Sequence, residues 1–223
     1  MRNSLSKVSH TCMFLITLAL PAWAIQGQVT LGADIVSRYV WRGLDFGDSP
    51  SIQPYLEYSA GAITVGTWGA YPFASGAGVN EHDLYASWAV GPLLLGVTDY
   101  FFPDGGDYFD YQVDGNHIIE PYLSYTGAFS ALVAVNALND QDNSVYLEFG
   151  FDKAWDSTEL SFFLGGTIGK TDFYGADGAA LLSVGVIATK AIPLTGQAGS
   201  PFSVSYIINP NAGQTFLLLS LEL

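Results

Sequence analysis

Two arginines four residues apart, Arg38 and Arg42, stand in the run SRYVWRG, in a chain with only seven lysines and arginines. Single carboxylates are scattered among apolar and aromatic neighbours: Asp34, Glu57, Asp83, Glu120 and Glu148. Guanidinium and carboxylate groups in a confined space can do one of two things. Across a water-filled passage they form a constriction that sets charge selectivity. Locked together, they fill the passage as an ion-pair network. The residue types allow both, and Glu57 and Glu120 are the candidate partners of the arginines.

A second concentration of chemistry lies in residues 99–117, DYFFPDGGDYFDYQVDGNH. Hard cations such as Ca2+ take several carboxylate oxygens, so Asp104, Asp107, Asp110 and Asp114, beside Asp99, are candidate ligands. The spacing is not that of an EF-hand loop, and a solvated acidic surface loop is the stronger expectation. No other cofactor is indicated. Past the N-terminal segment the chain keeps only His82 and His117, and it has no G-x-S-x-G. Hydrolase chemistry needs a nucleophile, a base and an orienting group in contact. Zinc needs a His/Cys ligand set. Neither pattern is present, so no catalytic residues and no firm metal site are expected.

The elements that must position these side chains are strands. Residues 29–42, VTLGADIVSRYVWR, alternate: Val29, Leu31, Ala33, Ile35, Tyr39 and Trp41 against Asp34, Arg38 and Arg42. Side chains point to opposite faces along a strand, so the run reads as one long two-faced strand. The pattern recurs. Leu56 and Tyr58 oppose Glu57; Leu84, Ala86 and Trp88 oppose Asp83 and Tyr85; Ile119 and Leu123 oppose Glu120 and Tyr122. Further on, Leu147, Phe149 and Phe151 oppose Glu148 and Asp152, Leu182, Val184 and Val186 oppose Ser183 and Gly185, and residues 215–223 place leucines on one face. About twelve strands result, within a range of eight to fourteen. Pro54 and Pro121 fall inside strands, where proline removes a ladder donor, and are expected at a strand start or bulge. Long connections (43–50, 72–80, 103–117, 138–143, 170–179, 209–213) alternate with short turns at 60–61, 91–92 and 127. Long loops on one side and short turns on the other are the habit of outer-membrane barrels. Residues 191–200 are the exception, a long segment on the short-turn side.

Composition separates the classes. Residues 1–24 read as a secretory signal: Arg2 and Lys7, the apolar run CMFLITLAL, then Ala22-Trp23-Ala24. The single cysteine, Cys12, lies within it. Removing Arg2 and Lys7 from seven basic residues leaves five against 21 acidic ones, a net charge near −16. That balance excludes nucleic acid as a partner. Charged residues are 13% of the chain, against about 25% in soluble domains, yet after the signal no run of about 18 apolar residues could cross a membrane as a helix. Helices and closed barrels are the only structures that satisfy their backbone in lipid. The reading is an all-β fold: a transmembrane antiparallel up-and-down β-barrel over residues 25–223, with its apolar face outward. Tyr39, Trp41, Trp68, Tyr71, Trp88, Tyr100, Phe101, Phe102 and Trp155 fall near strand ends and are expected to form aromatic girdles.

Four stretches carry a family resemblance: SRYVWRGLDFGDSPSIQPYLEYS, TDYFFPDG with HIIEPYLSYTG, NSVYLEFGF, and FSVSYIINPNAGQTFLLLSLEL. They resemble a Gram-negative porin family called TorF-type or Gcw-type, over nearly all of the chain past the signal. The most specific element is Arg38-Tyr39-x-x-Arg42-Gly43 before a proline-containing second strand. The resemblance implies an outer-membrane barrel with no assigned substrate.

The function expected is a narrow passive channel for small solutes, with cation preference from acidic loops. Its partners would be outer-membrane lipid and lipopolysaccharide, with the barrel assembly machinery and periplasmic chaperones during biogenesis. A closed structural or adhesion barrel with acidic surface loops is the alternative. A soluble periplasmic β-barrel around an apolar ligand is the remaining one.

Overall fold

The computed structural model describes residues 27–112, 115–193 and 199–223. The expected signal segment, Asp114 and residues 194–198 of the long 191–200 connection lie outside these residues. The strands are β1 (Gln28–Val36), β2 (Val40–Trp41), β3 (Leu44–Asp45), β4 (Ser51–Ala60), β5 (Ile63–Pro72), β6 (Glu81–Val90) and β7 (Leu93–Phe101). They continue as β8 (His117–Thr126), β9 (Ser130–Val135), β10 (Val145–Trp155), β11 (Thr158–Thr167), β12 (Ala180–Ile192), β13 (Ser200–Asn209) and β14 (Gln214–Glu222).

Twelve of them form a closed antiparallel barrel in chain order, with β14 returning to β1; β2 and β3 make a separate two-stranded hairpin. The closing seam is short. Asp34, Ile35 and Val36 pair with Glu222, Leu221 and Ser220, and bonds from Ser37 N to the Leu219 carbonyl (2.8 Å) and Leu223 N to the Ala33 carbonyl (2.9 Å) extend it. Six connections leave one end of the barrel, residues 37–50 and 102–116 the longest. Five leave the other end, and 61–62 and 91–92 are two-residue turns.

The wall is inverted relative to a soluble domain. Among the described residues the fully buried side chains are nine apolar and 14 polar or charged, while Leu31, Trp88, Phe151 and Leu217 stand exposed on the outer face. Tyrosines fill much of the interior, each leaning across a glycine of the adjacent strand. Tyr55 pairs with Gly32, Tyr85 with Gly66 and Tyr122 with Gly96. A Cβ on Gly96 would stand 2.2 Å from the Tyr122 ring, so the small residue makes room for the large one. A compact apolar cluster of Tyr146, Tyr174, Ala176 and Leu182 lies inside the barrel at the long-loop end.

Both strand prolines sit where the ladder lapses. Pro54 has a partner on β1 but no β5 partner in the register of Ile52 with Tyr71 and Tyr55 with Trp68. Pro121 pairs with Val97, and the β9 ladder on its other side begins at Tyr122. Three expectations change. Residues 29–42 are not one strand: β1 ends at Val36 and the chain turns inward. Leu182 is not on the outer face. The register slips between Gly165 and Gly166, opposite Leu181 and Ser183, and this bulge turns Leu182 inward to complete burial. The aromatic girdle is also divided. Trp88 and Trp155 stand exposed, whereas Tyr39, Trp41, Trp68 and Tyr100 pack against one another inside.

Candidate functional site: a lumen with an inward hairpin

The site is built around the segment joining β1 to β4. After Ser37 the chain enters the barrel, pairs Val40 with Asp45 and Trp41 with Leu44, and reverses at Arg42 and Gly43. Both have positive φ, 51° and 78°, as the tight hairpin turn that matches strand twist requires at its two central residues. An arginine in that position is unfavourable by about 1–2 kcal/mol, and its contacts explain why it is held there.

The Arg42 guanidinium ends among Glu120, Tyr174, Trp41 and Tyr146 inside the barrel. Nη1 donates to Glu120 Oε2 (2.5 Å) and to the Tyr174 hydroxyl (2.8 Å), and Nη2 donates to Glu120 Oε1 (2.9 Å). Side-chain exposure is 9% for Arg42 and 1% for Glu120. The group lies over the Trp41 ring at 4.2 Å and the Tyr146 ring at 4.4 Å. The Tyr100 hydroxyl gives Glu120 another bond, at 2.9 Å. Burial by itself would lower the Arg42 pKa, but the bond to Glu120 and the charge interactions with Tyr174, Glu120 and Tyr100 together outweigh it and raise the group above its ordinary value. Burial also pushes the Tyr174 phenol up to about 12. Arg42 therefore stays charged and Tyr174 neutral at working pH.

Around this centre the hairpin is clamped. Trp41 stacks on Tyr174 and meets Phe173 and Tyr100 edge-on. Asn209 Nδ2 donates to the Gly43 carbonyl at 3.1 Å. On the return, Val79 N donates to the Phe46 carbonyl (2.9 Å) and Asp48 N to the Ala77 carbonyl (2.7 Å). Tyr39 Oη donates to Glu81 Oε2 at 2.9 Å. Burial, then the nearby Glu81 charge, raises the Tyr39 phenol well above its usual range.

Beside the hairpin an open part of the lumen remains, a cavity of about 530 Å³ lined by Thr30, Tyr55, Glu57, Trp68, Asp83, Tyr85, Thr98 and Tyr100. Of its hydroxyls, Tyr85 donates to Glu57 at 2.9 Å and Tyr55 to Glu222 at 3.5 Å; away from this cavity Tyr146 donates to Glu148 at 2.8 Å. Asp34 pairs in register with Glu222 at the seam.

The sequence candidates thus separate. Arg42 and Glu120 meet. Arg38 does not join Arg42 on one face; it pairs with Asp45 and Asp48 of its own segment. Glu57 and Glu148 are held by tyrosines. Among the described residues of the 102–116 loop the acids do not converge. Asp104 accepts from Asn80 at 3.0 Å, and Asp107 and Asp110 accept from backbone amides two residues ahead. Among the described residues no group of three or more His, Cys, Asp or Glu side chains could hold a metal ion. The sequence reading missed the tyrosines, Glu81 and Glu222. A same-face pattern could have found most of them, since Tyr55-x-Glu57, Asp83-x-Tyr85, Glu120-x-Tyr122 and Tyr146-x-Glu148 each place a phenol beside a carboxyl.

A family model described as "Bacterial protein of unknown function (Gcw_chp)" matches residues 24–207. The chain belongs to this family. That range contains the hairpin, Glu120, Tyr174 and every tyrosine–carboxylate pair except Tyr55 with Glu222. No curated protein matches the chain. A solved structure described as "Unveiling the Mechanism Behind the in-meso Crystallization of Membrane Proteins" is similar with a TM-score of 0.49 and 12% identity, over 86% of this chain and 82% of that one.

Proposed function

We propose that this Gcw_chp member is an outer-membrane barrel acting as a narrow, passive, cation-preferring channel for small solutes, constricted at its long-loop end by the inward hairpin. The observation that carries the reading is the charge of the lumen. Glu57 and Asp83 line its open part, alternation along their strands turns Asp34, Glu148 and Glu222 to the same inner face, and Arg42 is neutralised by Glu120 and Arg38 by Asp45 and Asp48. A cleft lined by one sign of charge raises the local concentration of counter-ions, and charged rings set selectivity in pores. The inverted wall supports the membrane assignment, because an apolar belt around a closed sheet suits hydrocarbon. The long loops would then face outward and meet lipopolysaccharide. We assign no catalytic role. His117 has both ring nitrogens on acceptors, Asp99 and the Tyr108 carbonyl, which leaves neither for a nucleophile.

The close fit of the hairpin favours a second reading, a closed structural barrel. Planar-bilayer recording of purified protein, beside a variant with residues 39–46 replaced by a short Gly/Ser linker, separates the two. Small cation-selective steps in the wild type, enlarged several-fold in the variant, are expected. A silent wild type with a conducting variant would favour the closed barrel; silence in both rejects the channel.

A further inference from the structure

We infer that Glu81 and Asp83 form a binding site for a hard divalent cation at the long-loop mouth of the lumen. The two carboxylates stand two apart on β6 and so share a face. They are 2% and 6% exposed. Neither has a basic partner among the described ion pairs. Glu81 Oε2 accepts from Tyr39, but Asp83 Oδ1 is buried with no hydrogen-bond partner. Buried charges are kept only when paired or coordinated to a metal. Two adjacent carboxylates with an orphaned oxygen therefore either share a proton or hold a cation.

The surroundings favour the cation. Asp83 lines the 530 Å³ cavity beside Trp68 and Tyr100, so a hydrated ion in the cavity meets the edge of this carboxylate. Mg2+ is typically held by one or two carboxylates and keeps several waters, which matches two acids at the edge of a wet cavity. Two negative charges balance one divalent ion. Asp104, Asp107 and Asp110 lack this arrangement, because each already accepts a bond from a neighbouring group. The consequence for transport rests on the channel reading above, but binding does not. A divalent ion here would sit in the mouth and hinder monovalent current.

Terbium reports on the site directly, because Trp68 is the register partner of Asp83 and can sensitise its emission. With the barrel folded in detergent, tryptophan-excited terbium emission should saturate and be displaced by Ca2+ or Mg2+ but not by K+ at equal ionic strength. Asp83→Asn and Glu81→Gln should each weaken terbium binding by about tenfold or more. Asp104→Asn with Asp107→Asn should leave it within about twofold. Heat-modifiable gel migration checks that each variant is folded; if Asp83→Asn is not, Glu81→Gln reads the same site. Unchanged emission in the folded β6 variants overturns the proposal. In bilayers, millimolar Ca2+ should reduce the wild-type current and not that of Asp83→Asn. Equal block in both would overturn the site while leaving the channel, and a silent wild type would remove the channel while terbium still decides the site.

Discussion

At the scale of single residues, Arg42 has the most to explain. It occupies a backbone conformation that non-glycine residues avoid, and it sits almost out of water. A buried ion pair is weak evidence for stability by itself, but breaking one by removing a partner costs about 3–5 kcal/mol, because the other charge is left uncompensated. Glu120 would be that charge. Its hydroxyl donor Tyr100 would remain, so the loss belongs at the lower end of that range. Arginine is also required for its shape. The planar fork makes two parallel bonds to one carboxylate while its faces lie against Trp41 and Tyr146, and a lysine ammonium can do neither. Arg42→Ala should lower the stability of the folded barrel by about 3 kcal/mol, read as a shift in the urea midpoint followed by tryptophan emission. Arg42→Lys should recover only part of that. A lysine variant equal to wild type would mean that charge alone seats the hairpin.

At the scale of elements, the hairpin marks the limit of what alternation can tell. A strand in the wall and a hairpin tucked inside both alternate, so residues 29–42 read as one continuous element although the chain leaves the wall after Val36. The break is set by contacts with residues far away in sequence, Glu120, Tyr174 and Leu182, which no local pattern contains. Leu182 was misplaced for a related reason, since a bulge shifts the face of a side chain without changing the period on either side of it. The misread girdle follows too: aromatics at strand ends can turn inward to receive a hairpin as readily as outward. Gly43 is the hinge of this element. Its φ is 78°, and a Cβ there would lie 1.9 Å from the Leu182 carbonyl oxygen. That oxygen belongs to the wall and cannot move aside as a flexible side chain could. Gly43→Ala should therefore unseat the hairpin and expose the bond after Arg42. Limited trypsin treatment with mass spectrometry checks this: cleavage after Arg42 is expected in the variant and not in the wild type. A resistant variant would show that the turn tolerates a side chain.

At the scale of the whole molecule, the barrel was legible because its evidence is local and repeated. Each strand needs only a period of two, and twelve such runs separated by turn residues leave few ways to close a sheet. What fills the cylinder was not legible, because it depends on distances across the lumen that alternation does not encode. The same architecture gives the molecule two unlike ends. Residues 37–50, 73–80, 102–116, 136–144, 168–179 and 210–213 emerge at one, and short turns such as 156–157 at the other. If the barrel crosses the outer membrane as proposed, the long-loop end meets the medium, because long loops are extracellular in such barrels. Cys12 is the only cysteine in the sequence and lies in the segment expected to be removed, so introduced thiols report without background. Ser75 on a long loop and Ser157 on a short turn are both exposed, and Ser→Cys is a minimal change. On intact cells, a membrane-impermeant maleimide should label Ser75→Cys and spare Ser157→Cys. After the outer membrane is permeabilised, both should react. Labelling of Ser157→Cys alone in intact cells would invert the orientation and place the hairpin and the Glu81–Asp83 pair at the periplasmic mouth. Equal resistance of both in permeabilised cells, with reactivity only in denaturant, would remove the exposed-loop geometry on which the orientation depends.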